Sequence, residues 1–388
     1  MINKTKKIYL DYAAATPTDP RVLRAMLPYF REKFGNTMSL HTFGQEAKQA
    51  LEESRERAAG LIGAKSDEII FTGSASESNN LALKGVGFAN RNKGKHIIIS
   101  QIEHPCIMES AEWLKYQGFK ITKLPVDSSG FVNPEDARKA IRKETILVSI
   151  IHASNEIGTI QPIEKIGKIC REKEVYFHTD AAQSFGKIPI NVNKINIDLL
   201  TASSHKMYGP KGAALLFVRK GVKIEPILHG GGQEQGLRSS TVNLPAIVGF
   251  AKACEVAQKE RKKESERLSK LRDKLIKGII QKIKGSHLNG HSTKRLPNNI
   301  NFWFEFIEGE SMVIQLDLMG IAASTGSACS SVKLEPSHVL LAIGLKHEQA
   351  HGSLRLTLGK RTKESEINYL LKVLPVVVNN LRKISPLK

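Results

Sequence analysis

The chain has 388 residues, 41% of them hydrophobic and 25% charged, with a net charge of +20; a chain of this size buries a large core and divides naturally into two domains. No apolar run approaches the ~18 residues of a membrane span and the N-terminus lacks the apolar centre of a secretory signal, so a soluble cytoplasmic protein is expected. The basic residues are scattered through amphipathic segments, which reads first as solvated faces, next as attraction for an acidic protein, and last as nucleic-acid binding, so direct nucleic-acid binding is not expected.

The segment from Ile8 to Ala13 reads as a short strand, Val22 to Phe34 as a helix ended by Gly35-Asn36, and Glu46 to Ile62 as a second, amphipathic helix. Glu68 to Thr72 is strand-like and runs through Gly73-Ser74-Ala75-Ser76 into a helix. A strand, a Gly/Ser turn and a helix start can cradle phosphate; Ser74 with Glu77 also fits a capping box. Apolar strands then alternate with helices: Ile97–Ile99, Ile121–Val126, Thr145–Ile151, a helix at 163–173, and Val175–Thr179. This pattern predicts a mainly parallel sheet covered on both faces.

His104, Asn155, Asp180, Gln183 and Ser203 to Lys206 all follow the predicted C-terminal ends of strands, where such sheets bind ligands. Lys206, in SSHKMYGPKG between two apolar runs, is a candidate Schiff-base lysine, because a desolvated lysine sheds its proton and attacks carbonyls. The glycine-rich loop Gly230 to Thr241 matches no phosphate motif. A helix is expected from Leu244 to about Ile283. Beyond it, alternation in Asn299–Phe306 and Ser353–Leu358 predicts half-buried strands of a smaller α+β domain. Between these strands the small-residue loop Ser324 to Pro336, expected to be mobile, carries Cys329. The other cysteines, Cys106, Cys170 and Cys254, read as small buried residues, and with no CxxC pair neither a self-contained metal site nor a disulfide framework is expected.

A lysine, an aspartate, a histidine and a phosphate cradle match the needs of pyridoxal 5'-phosphate, whose ring nitrogen pairs with a carboxylate. The chain resembles the cysteine desulfurases of the NifS/IscS kind, in the class V aminotransferase group of fold-type I enzymes. The resemblance rests on YLDYAAATPTDPRV, FTGSASESNN, EHPCIMES, NEIGTIQPI, FHTDAAQSFGK, SSHKMYGPKG, LRSST, STGSACSS, SHVLLAIGL and GSLRLTLG. It implies an α/β fold with a large cofactor-binding domain at 15–260. A small α+β domain would comprise 1–14 and 261–388 and carry the cysteine loop.

The resemblance also implies roles. Lys206 would hold pyridoxal phosphate covalently and Asp180 would bind its ring nitrogen. Asn155 and Gln183 would bond the ring oxygen side, and His104 would stack on the ring and assist proton transfers. Ala75, Ser76, Ser203 and His205 would grip the phosphate, with Thr241 reaching the phosphate of the other subunit in a homodimer. Arg355, Asn36 and Asn155 would clamp the substrate carboxylate. Cys329 would take sulfur from L-cysteine as a persulfide, leaving L-alanine, and pass it to an iron–sulfur scaffold protein of the IscU type or to tRNA-thiolation sulfur carriers. Cys329 could also help ligate a transferred [2Fe-2S] cluster. Two positions depart from the family pattern: Ser76 stands for the usual Thr, and Thr37-Met38-Ser39 for Pro-Ser-Ser. Aminotransferases and selenocysteine lyases share the fold and stay open as alternatives, as does a basic RNA-binding scaffold without catalysis.

Overall fold

The structure, a computed structural model, describes residues 7–325 and 335–386. Among the described residues there are twelve strands: β1 (Ile8–Tyr9), β2 (Ile69–Thr72), β3 (His96–Ser100), β4 (Lys120–Leu124), β5 (Thr145–Ser149), β6 (Tyr176–Asp180), β7 (Leu199–Ser203), β8 (Ala214–Val218), β9 (Ser286–Leu288), β10 (Asn299–Phe304), β11 (Ile321–Ala322) and β12 (Ser353–Thr357). Seven make one sheet in the order β2-β8-β7-β6-β5-β3-β4, in which β8 runs antiparallel to both β2 and β7 and every other pairing is parallel. Continuous apolar runs suit strands covered on both faces. Ile98, Val148, Phe177 and Leu200 pack into a core on one side, and Ile97, Ile99, Leu147 and Leu199 into a core on the other.

A second packing unit is built on the antiparallel sheet β12-β10-β9 and the two-stranded β1-β11. Its core joins Leu10, Phe302, Phe304, Leu354 and Leu356 to the helix Glu364–Ile384. The helix Leu244–Lys282 runs through both units. Ile247, Phe250 and Cys254 lie in the first core, and Leu268, Leu271, Leu275 and Ile279 in the second. No helix among the described residues is long and apolar enough to cross a membrane.

Two expectations are corrected. The segment from Val22 to Phe34 is not one helix: it divides into Pro20–Met26 and Pro28–Arg31, because Pro28 has no N–H to continue the ladder. The strands β10 and β12 are not half-buried. Their polar residues Asn299, Asn301, Arg355 and Thr357 are all under 5% exposed. The apolar face packs into its own core, while the polar face lies on the loop after β5. There the Nδ2 atoms of Asn299 and Asn301 each donate to the Glu156 carbonyl at 3.2 Å. This docking delivers Arg355 to the sheet's C-terminal edge.

Candidate active site

The C-terminal ends of β3, β5, β6 and β7 open into a cavity of about 390 Å3, walled also by Ala13-Ala14, the turn at Ser74–Ser76 and Arg355. Lys206 ends a single helical turn directly after β7. Its Nζ donates to the carbonyls of Ala13 at 2.6 Å and Ala14 at 2.7 Å. Asp180 closes β6 and is 4% exposed. Its Oδ2 accepts from Asn79 Nδ2 at 2.7 Å, and its Oδ1 from the Ala182 N–H at 2.8 Å. Two donors fix the carboxylate's direction and satisfy a buried anion.

His104 caps the helix Pro105–Tyr116. Its Nδ1 accepts from the Cys106 N–H at 3.2 Å and lies 3.0 Å from Cys106 Sγ. An Nδ1 that accepts from a main-chain N–H has no proton, so the neutral ring carries its proton on Nε2. Burial pushes the imidazole below its ordinary pKa; Asp180 pulls it back and Lys206 lowers it further.

Opposite, Ser203 Oγ is paired with His205 Nδ1 at 2.8 Å. Burial, then Lys206, Lys211 and Lys187, bring His205 down to about 4, so this ring is neutral too. Ala75 and Ser76 begin the helix that follows β2, where main-chain N–H groups have no intrahelical acceptor. The expected capping box forms only by half. Ser74 Oγ accepts from the Glu77 N–H, but the Glu77 carboxylate bonds the Gly73 N–H at 2.8 Å and Arg238 Nε at 2.7 Å. The shift follows from Arg238, which draws the carboxylate away from Ser74.

Gln183 and Asn155 line the cavity as well. Gln183 Nε2 donates to the Ala13 carbonyl at 3.0 Å. Arg355 is 4% exposed; it donates to Asp11 Oδ1 at 3.0 Å and to the Asn155 carbonyl at 3.3 Å, and its buried Nε has no partner among the described residues.

Asn36 and Thr241 are exposed and lie outside the cavity of the single chain. Cys329 and most of its loop lie outside the described residues. Cys170 and Cys254 are buried at 1%, but Cys106 is corrected: it lines the cavity, accepting from Asn79 Nδ2 at 3.1 Å. Sequence reasoning also missed Asn79, the Ala13 and Ala14 carbonyls, Glu156 and His338. Asn79 and Cys106 lay within reach of a signal, one helical turn beyond Ala75–Ser76 and two residues after His104.

These residues fit pyridoxal phosphate. An amine and a buried, oriented carboxylate come from adjacent strand ends, and hydroxyls, a neutral histidine and helix-start N–H groups gather at Ser74–Ser76 and Ser203–His205. The Arg355 guanidinium, part of the wall, supplies a positive charge for an anion. Among the described residues no cluster of three or more His, Cys, Asp or Glu could hold a metal ion.

Residues 8–370 match the family model described as aminotransferase class V. The chain is 54% identical to a cysteine desulfurase IscS of Dictyoglomus turgidum, over 99% of this chain and 97% of that protein. It is 52% identical to an IscS of Methanosarcina thermophila, over 99% and 95%. Among solved structures it superposes on a NifS-like protein with a TM-score of 0.91 at 39% identity, covering 97% of this chain and 100% of that one. It also superposes on SspA in complex with cysteine, with a TM-score of 0.80 at 39% identity, covering 91% and 99%.

Proposed function

The chain belongs to the class V aminotransferase family and within it is a pyridoxal-phosphate-dependent cysteine desulfurase, and from this premise we propose how its residues divide the work. Bound pyridoxal phosphate supplies an electron sink for the pair left at Cα when the substrate loses a proton. Lys206 would hold the cofactor and move the Cα proton; Asp180, aimed by Asn79, would pair with the ring nitrogen. Asn155 and Gln183 would serve the ring oxygen side, and Ala75, Ser76, Ser203 and His205 would hold the phosphate. His104, neutral with its proton on Nε2, would stack on the ring and assist proton transfers there, with Nε2–H as a hydrogen-bond donor.

Arg355 binds the substrate carboxylate. Asp11 and the Asn155 carbonyl keep its guanidinium aimed. Cys329, as thiolate, attacks the substrate sulfur: an S–S bond forms, the carbon–sulfur bond breaks, and L-alanine leaves after protonation. The solved relative in complex with cysteine supports L-cysteine as the substrate.

We propose further that two copies complete each site. Leu23, Leu27, Phe30, Phe34, Met38, Leu40 and Phe43, close together in the chain, are each at least half exposed, and grouped exposed apolar side chains mark association surfaces. Thr241 and Asn36, outside the cavity of one chain, would act across that interface. The sulfur acceptor is an iron–sulfur scaffold protein, a reading supported by the names of the relatives, with tRNA-thiolation carriers as further acceptors. A [2Fe-2S] cluster at Cys329 would be cargo in that transfer.

The observation that carries the reading is the meeting of Lys206, Asp180 and Arg355, from three strands of two sheets, in one cavity. L-Cysteine added to the purified holoenzyme with a reductant should yield alanine and sulfide in equal amounts. Cys329→Ser should keep the visible cofactor band and lose sulfide; sulfide persisting at the wild-type rate would overturn the role of Cys329.

A further inference from the structure

Lys187 lies in the turn after β6, its amine enclosed by protein. Nζ donates to the Gln183 main-chain carbonyl at 2.9 Å and lies 3.4 Å from Gln183 Oε1. Gln183 is therefore held at both ends. With Oε1 turned towards Lys187, the amide presents Nε2 the other way, where it donates to the Ala13 carbonyl. The same carbonyl accepts from Lys206 Nζ. Lys187, Gln183, Ala13 and Lys206 form one chain of contacts from the turn after β6 to the turn after β7. Ser265 Oγ, on the helix Leu244–Lys282, fixes the far end by donating to the Lys187 carbonyl at 2.6 Å.

No carboxylate among the described residues pairs with Lys187. Beside it is a cavity of about 40 Å3 lined by Glu260, Arg261 and Glu264 of that helix, by Tyr208 after β7 and by Lys360 after β12. Glu260 is engaged by Arg21 and Lys360, and Glu264 by Arg267. Burial first, then the charge on Lys206, push the Lys187 amine down to about 7. A neighbouring cation in a dry site is one way in which a reactive lysine is kept ready to lose its proton.

We propose that Lys187 is a positioning residue of this active site: it orients the Gln183 amide and sets a second cation near the Lys206 amine. The proposal rests on the reading of Lys206 as the cofactor's anchor. In the Lys187→Met holoenzyme, the pH midpoint of the visible cofactor band should rise by about one unit, a tenfold gain in proton affinity. Lys187→Arg, which keeps a charge, should restore the midpoint. In the cofactor-free protein, competitive acetylation read by peptide mass spectrometry should show Lys206 titrating higher in Lys187→Met than in wild type. Lys187→Gln, smaller and uncharged, gives the same test if the methionine variant does not fold.

An unchanged midpoint together with an unchanged Lys206 labelling profile in a folded variant would overturn the proposal. A raised midpoint that Lys187→Arg fails to reverse would overturn its electrostatic half. Failure of borohydride to fix the cofactor to wild-type Lys206 would instead sink the anchor reading, and the acetylation profile would still report on Lys187.

Discussion

Glu103, the residue before His104, is fully buried beside the cavity and only half satisfied. Its Oε1 accepts from Ser100 Oγ at 2.5 Å and from the Ile151 N–H at 2.8 Å, while its Oε2 has no partner among the described residues. Burial pushes its carboxyl up to about 8; the Ser100 and Ile151 bonds hold it lower, and Asp180 adds to the rise. An unfolded glutamate has lost its proton well below this, near its ordinary value of 4.5. Between those two values the folded chain holds a proton that the unfolded chain has released, so stability falls as pH rises through the window and levels off above about 8. One proton corresponds to about 1.4 kcal/mol per pH unit. Glu103→Gln should remove that component: the urea-unfolding free energy of the variant should fall less steeply between pH ~5 and ~8. Parallel slopes for variant and wild type would refute a protonated Glu103.

At the scale of an element, one edge of the large sheet is closed by a side-chain pair. The strand β2 pairs on one side only. On its other side Arg55 donates to the Ile69 carbonyl at 2.7 Å and Glu234 accepts from the Phe71 N–H at 2.6 Å. Arg55 and Glu234 also bond each other twice, at 2.8 and 2.9 Å, with side chains 6% and 1% exposed. The edge is thereby blocked against pairing with another chain. The pair also holds Glu234 and Gln235 at φ of 46° and 58°, which non-glycine residues adopt at a cost. Removing one partner of a buried pair leaves a bare charge and costs about 3–5 kcal/mol. Glu234→Ala should destabilise by that amount in urea titrations and free the loop that carries Thr241 to proteolysis. A loss below about 1 kcal/mol, the range of exposed pairs, would show that the edge is not held this way.

Across the whole molecule, the apolar surface between Leu23 and Phe43 is the feature the single chain leaves unexplained. Phe34 and Phe43 lie 5.7 Å apart and stay 65% and 53% exposed. Burial of one such side chain is worth about 1.5–3 kcal/mol, so a charge in its place should weaken association roughly a hundredfold. Phe30→Glu should sediment as a monomer at concentrations where wild type is a dimer, and should lose activity with it. A variant that stays dimeric would place the interface elsewhere.

The sequence by itself determined the alternation of strand and helix and the strand ends that carry His104, Asn155, Asp180 and Lys206. Apolar periodicity and residue type record local burial, and a parallel sheet puts every such end on one edge. The family and its chemistry were legible for the same reason, since the motifs are short and contiguous. Only the tertiary structure decided what these residues touch. The carbonyls of Ala13 and Ala14 that hold Lys206 have no side-chain signature, and the second polar face of β10 and β12 looked like a solvent face by its pattern. It is buried because the small sheet docks on the loop after β5 and brings Arg355 there. Such contacts join residues more than a hundred positions apart, and they depend on how two separately patterned sheets pack, which no local pattern records.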